Sequence, residues 1–330
     1  MGGSPTVLMH RSAIVRSSLS SRAAAFLVAA LVVGGARSED LPELCGPYLG
    51  QTPPNAGAEV FLPEALKPPE GLHSSVVFNN AGDKACWTEM ALGRTWCSAA
   101  VDDCWAPPAV IGFDPEFGVR EPMFADDDRR FYYISRRPLE HDPVNRERIW
   151  FVERLDSGWS APRVIDDAVS SHPTHWQFSL TAAGDLYFTS EIVGVRGGQD
   201  IFVARSRDGV FSEPESVGGG VNSDLRDFCP FVAPDESYLI FARSVPEKRG
   251  RSDLFISFRD DDGAWTDAVN MGETVNSLAN EVSPVVTPDG RYLVFLRASS
   301  DMNDVYWIGA GIIDDLKTEA LQDRRDPPAS

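Results

Sequence analysis

Pro288-Asp-Gly-Arg-Tyr-Leu-Val-Phe295 sets a turn directly ahead of a short apolar run, and the arrangement returns along most of the chain. Asp-Gly favours a tight hairpin turn, and the alternating run after it reads as a strand that sends successive side chains to opposite faces. Working outward from Phe295, equivalent runs close on Phe241, Phe188, Tyr133 and Trp87, at separations of 54, 53, 55 and 46. A second aromatic column follows at Trp96, Trp150, Phe202, Phe255 and Tyr306, and a third at Trp105, Trp159, Phe211 and Trp265. Upstream of each unit lies one more apolar segment: Ser74-Ser-Val-Val-Phe78, Glu121-Pro-Met-Phe124, Trp176-Gln-Phe178, Cys229-Pro-Phe-Val232 and Ser283-Pro-Val-Val286. Each unit therefore offers four strands, and no helical stripe competes with them. A four-stranded antiparallel sheet with aromatics on both faces cannot bury them alone; stacking such sheets radially does. The expected fold is all-β, a five-bladed propeller of four-stranded antiparallel blades.

Closure follows from what is missing. The fifth unit ends after Val305-Tyr-Trp-Ile308 without an outer strand, and a bare edge invites aggregation. Ala58-Glu-Val-Phe-Leu-Pro63, ahead of the first unit, fits as that strand. Six blades is the alternative, if Cys45 to Pro69 holds a degenerate unit, although that segment is short for one. Residues 1–38 read as a secretory signal: Arg11, Arg16 and Arg22, an apolar run from Ala23 to Gly35, then Ala36-Arg37-Ser38. An uncleaved anchor is the alternative, but the run is short for a bilayer span. Residues 39–57 form a lead-in, 58–313 the propeller, and 314–330 an acidic tail outside the ring, partly helical at most.

Pro234-Asp-Glu with Tyr238-Leu-Ile-Phe241, Pro288-Asp-Gly with Leu293-Val-Phe295, Gly198-Gln-Asp-Ile-Phe202, Trp159-Ser-Ala-Pro162 and two Val-Asn-Ser triplets (Val221 to Ser223, Val275 to Ser277) carry a family likeness. Together they resemble the WD-repeat-like, TolB-type β-propeller repeat of bacterial secreted and envelope proteins. The likeness covers roughly Cys45 to Ile308 and implies the propeller fold, a secreted or periplasmic location and, for most such repeats, a binding scaffold. The first two units depart from it, with Asn80-Ala-Gly82 and Asp126-Asp-Asp128 in place of Pro-Asp-Gly.

Acids outnumber bases 49 to 30, for a formal charge of −19, and the excess grows if the leading arginines are removed. Such a surface repels phosphate backbones and anionic lipid, so nucleic acid is not an expected partner, nor is membrane insertion after signal cleavage. Export permits disulfides among Cys45, Cys86, Cys97, Cys104 and Cys229. Centring the first hairpin near Ala91-Leu92 sets Cys86 opposite Cys97, a candidate cross-strand bond for which Cys45 and Cys104 compete.

The columns also indicate what rims the central opening. One reads His73, Val119, Thr174, Asp227 and Glu281; its neighbour reads Ser74, Arg120, His175, Phe228 and Val282. With His172 and Arg226 they make a mixed polar rim, the kind of set a pocket for a small molecule, peptide or glycan needs. Loop capping by the same side chains is the structural alternative. Asp227 and Glu281 are the only carboxylate pair placed for glycoside hydrolysis, against which the inner segments are apolar. His172-Pro-Thr-His175, with His73 or Glu281, is too loose a set to predict a metal, and no cofactor motif occurs. The expectation is a non-enzymatic binding or scaffolding module for a small molecule, glycan or envelope protein, with a glycan-active hydrolase as the alternative.

Overall fold

Alternation along the second strand of each blade decides which neighbouring sheet a side chain meets. In Tyr292–Ala298, the residues Tyr292, Val294 and Leu296 join a buried cluster with Val76, Phe78 and Trp87, whereas Leu293 and Phe295 join Ile240 and Ile256. Phe131 and Tyr133 likewise face one way, and Tyr132 and Ile134 the other, toward Phe178 and Phe188. Every sheet is thus apolar on both faces and is stable only between two others.

The computed structural model describes residues 43–325 apart from 91–92, 145, 174, 193–195, 249–250 and 301–302; the side chains of 175, 248 and 321–325 also fall outside this set. The expected signal at 1–38 lies outside the described residues.

Five antiparallel blades form the propeller. Blade one orders Val77–Phe78, Lys84–Thr88, Thr95–Val101 and Ala109–Val110. Blade two orders Arg120–Phe124, Arg130–Ser135, Arg148–Leu155 and Arg163–Val164. Blade three comprises His175–Leu180, Leu186–Ser190, Asp200–Ala204 and Glu215–Ser216, and blade four Asp227–Val232, Tyr238–Val245, Arg251–Phe258 and Val269–Asn270. Blade five has Asn280–Val286, Tyr292–Ala298 and Asn303–Gly309 in sequence, and takes its outer strand from Glu59–Val60. Glu59 pairs with Trp307 and Val60 with Tyr306, and the Phe61 N–H donates to the Val305 carbonyl at 2.8 Å. Phe61 and Leu62 are buried at this seam, with Phe61 packed on Trp307 at 4.8 Å between ring centroids.

Cys86 stands opposite Cys97 in the first hairpin and is bonded to it, while Cys45 is bonded to Cys104. Cys229 is buried as a free thiol. Gly311–Arg325 forms a helix. Its charged residues hide an apolar side: Ile313 and Ala320 are buried against the core of the neighbouring blades. No helix among the described residues is long and apolar enough to cross a membrane.

Val-Asn-Ser proves to be an inter-strand clasp. Asn222 accepts from the Ile201 N–H at 2.8 Å and donates to the Ile201 carbonyl at 2.8 Å, satisfying both backbone groups of one residue. Asn276 does the same for Leu254, at 2.8 and 3.0 Å. An amide is the side chain that can answer a donor and an acceptor together, which is why Asn occupies both positions.

Candidate functional site

Four inner strands carry the same interruption. Their pairing slips between Arg120 and Met123, His175 and Phe178, Phe228 and Phe231, and Val282 and Val285. The extra residue in each takes a left-handed backbone: Glu121 at φ 48°, Trp176 at 60°, Cys229 at 54° and Ser283 at 52°. That conformation is costly for a side chain larger than glycine, and the flanking ladder holds it in place. Pro122, Pro230 and Pro284 follow three of the four, at a point where no ladder donor is needed. Near the axis, Gln177 of blade three donates to the Pro284 carbonyl of blade five at 2.6 Å. The Cys229 thiol, hydrogen-bonded to Ser283, has its pKa pushed up to about 12 by burial and is inert.

Glu121 and Trp176 open onto a cavity of about 310 Å³ at the end of the ring where the inner strands begin. His73, Arg120, Arg136, Glu147 and Gln199 complete its polar wall. Glu121 Oε1 lies 3.3 Å from His73 Nε2. Burial, and then the charge of Glu147, raise the Glu121 carboxyl to about 8 against the opposing pull of Arg120. Burial also lowers the His73 imidazole, and Arg120 lowers it further, so the pair is neutral at pH 7. Glu147 accepts from Arg136 at 3.1 and 3.3 Å. Trp176 is 41% exposed and stacks on His73 at 6.4 Å. Gly93, at φ 55°, makes room for Arg120: a Cβ there would stand 2.3 Å from the guanidinium.

The raised carboxyl makes a prediction about stability. The folded value of Glu121 lies above its ordinary 4.5, so the native protein holds the extra proton between the two, and stability falls as pH rises from 4.5 toward 8. Glu121→Gln removes that loss. Thermal melts should show the variant gaining on the parent from pH 5 to pH 8, by at most about 1.4 kcal/mol per pH unit. A constant gap across that range contradicts a buried, proton-holding Glu121.

The rim expected from sequence divides. His73 and Arg120 line the cavity, and Arg226 reaches its edge by donating to Gln199 Oε1 at 2.7 and 3.2 Å. His172 is half-buried near Glu213, at 3.7 Å, and does not line the cavity. The His175 side chain lies outside the described residues. Asp227 and Glu281 need a correction, because neither faces the cavity as a rim carboxylate. Asp227 accepts from Arg243 Nε at 2.6 Å and from the Ser223 backbone and hydroxyl at 2.7 and 2.8 Å. Glu281 accepts from Arg297 at 2.9 Å and Ser277 at 2.5 Å, and both carboxylates are fully buried. Each arginine also caps the carbonyl of the Val in the preceding Val-Asn-Ser, which makes the acids braces for the turn. Glu121, Arg136, Glu147, Trp176 and Gln199 were missed as site residues. Glu121 and Trp176 stand one position past the column of Arg120 and His175, and the recurring Glu/Cys/Ser-Pro step is the sequence signal that marks this position.

A larger hollow of about 540 Å³ lies between the turns of blades two and three. Its Arg130 and Glu153 are already paired at 3.0 Å, which leaves less unsatisfied chemistry for a ligand.

No protein-family model and no curated protein matches the sequence. Among solved structures, TolB from Acinetobacter baumannii aligns at a TM-score of 0.50 and 11% identity, covering 73% of this chain and 52% of its own. This chain thus spans about half the length of that TolB. An endo-arabinase from Bacteroides thetaiotaomicron aligns at a TM-score of 0.50 and 13% identity, covering 74% of this chain and 97% of its own. The chain shares the propeller fold with both, and at these identities the likeness extends to the fold alone.

Proposed function

We propose that this protein is an exported, non-enzymatic binding propeller that takes a glycan-like polar ligand over Trp176. The carrying observation is the conformation of Trp176. Its strained backbone turns a large, partly exposed ring over a cavity whose other walls are polar. Aromatic faces accept the C–H face of a ring-shaped ligand, and convergent polar groups fix its orientation. Export is supported by two disulfides, which persist in oxidising compartments. A glycan array, followed by titration with tryptophan fluorescence, tests the reading. Trp176→Ala should weaken any ligand found by at least about tenfold, since a buried aromatic anchor contributes about 2 kcal/mol or more. Unchanged affinity in that variant places the ligand elsewhere.

One observation favours a second reading. Glu121 holds its proton near neutral pH beside Glu147, which is paired with Arg136, and an acid set against a second carboxyl group is the arrangement glycoside hydrolysis uses. Turnover of an arrayed glycan that vanishes in Glu121→Gln would establish it over the binding reading.

A further inference from the structure

Arg120 is the one guanidinium on the cavity wall without a partner among the described residues. Its Nη1 is buried and makes no hydrogen bond, and no carboxylate of the described residues pairs with it. A bare buried donor costs free energy that a ligand group entering the cavity beside it can recover. The remaining charges around it cancel. Arg136 and Glu147 neutralise each other, His73 and Glu121 form a neutral pair, and Gln199 binds Arg226 on one side and Glu191 on the other. Among the described residues the cavity therefore holds one uncompensated positive charge, inside a chain of −19. The glycine at 93 lets the guanidinium lie flat against the backbone of blade one, so its fork is held in position.

We propose that the cavity recognises a hexuronate unit of a glycan, its ring on Trp176 and its carboxylate on the Arg120 guanidinium; this rests on the binding reading above. A planar carboxylate matches the guanidinium fork in geometry and in charge. A phosphate monoester brings about −1.5 to −2 and leaves an excess that no other unpaired cation here can meet. The acidic exterior slows such a ligand's approach, so the selectivity has to come from the cavity.

The experiment is calorimetric titration of the full chain with galacturonate and glucuronate trimers, beside the same trimers with their carboxylates reduced to alcohols. The acidic trimers should bind at least about tenfold more tightly than their reduced forms. Arg120→Met should erase that preference while the reduced trimers keep their affinity, which also shows that the variant is folded. Arg120→Lys should restore part of the preference. Raising pH from 6 to 9 should weaken the acidic trimers alone, because Glu121 then ionises among Arg120, His73, Glu147 and the Cys229 thiol. Equal affinity for acidic and reduced trimers, or a preference that survives Arg120→Met, overturns the proposal and leaves the binding reading standing. Binding of neither form, with a neutral or other ligand held over Trp176 on the array, also overturns it, and an array with no ligand at all removes both.

Discussion

Removing residues 58–63 is expected to give a protein that aggregates or melts far below its parent. Two losses combine. Asn303–Gly309 becomes an open edge along blade five, with a row of unpaired backbone groups ready to pair with another chain. The cluster that welds blade five to blade one also loses Phe61 and Leu62, each only 1% exposed. Phe61→Ala alone should cost about 3–5 kcal/mol, as large-to-small changes of a buried aromatic do. Size-exclusion chromatography and thermal melting of the two variants check this. A truncated protein as soluble and as heat-stable as the parent shows that this strand does not close the ring.

Arg243→Met should be nearly as damaging, although it touches neither seam nor cavity. It strands the fully buried Asp227 carboxylate and frees the Val221 carbonyl, and breaking one side of a buried ion pair costs about 3–5 kcal/mol. The Met side chain fills part of the space over Phe255, on which the guanidinium now lies at 4.8 Å, so the loss is chiefly electrostatic. Burial already pulls Asp227 upward against Arg243. Without the arginine its value rises further, so the penalty should shrink as pH falls and the acid takes a proton. Adding Asp227→Asn to the variant should recover a large part of the stability. Denaturant melts at pH 7 and pH 4 read both effects; a penalty independent of pH, unrelieved in the double variant, assigns the loss to packing instead.

The fold was legible because propeller blades repeat, and repetition survives in aromatic columns even where turn residues have drifted. Closure was legible from an absence, the missing outer strand after Ile308, and the Cys86–Cys97 register from simple hairpin counting. The site was less so, for a reason that lies in the backbone. A bulge inserts one residue into a strand and transfers the next side chain to a face that strict alternation denies it. Glu121 and Trp176 occupy that inserted position, so period-two reading passes over them. Asp227 and Glu281 occupy the aligned position beside it and look available, yet each meets an arginine sixteen residues later. The same offset from His73 falls on Glu89, not on an arginine, and His73 lines the cavity. That recurrent offset distinguishes a braced carboxylate from a free rim residue. The apolar side of Gly311–Arg325 was hidden because acidic composition dominates a short segment in which a few residues reach the core, Ile313 and Ala320 buried and Ile312 and Leu316 packed beside them.

The lead-in joins the two sides of the seam by different means. Cys45 is covalently fixed to Cys104 of blade one, while Tyr48 lies on Tyr292 of blade five at 4.9 Å and hydrogen-bonds Asp289 in its turn. A load applied from the N-terminal side is therefore carried into blade one by a covalent bond before it reaches Glu59–Val60. The closing strand cannot be unzipped pair by pair from that direction while the bond is intact. A motor that threads chains from this end meets a blocked path in the oxidised protein, and after reduction meets a strand it can peel.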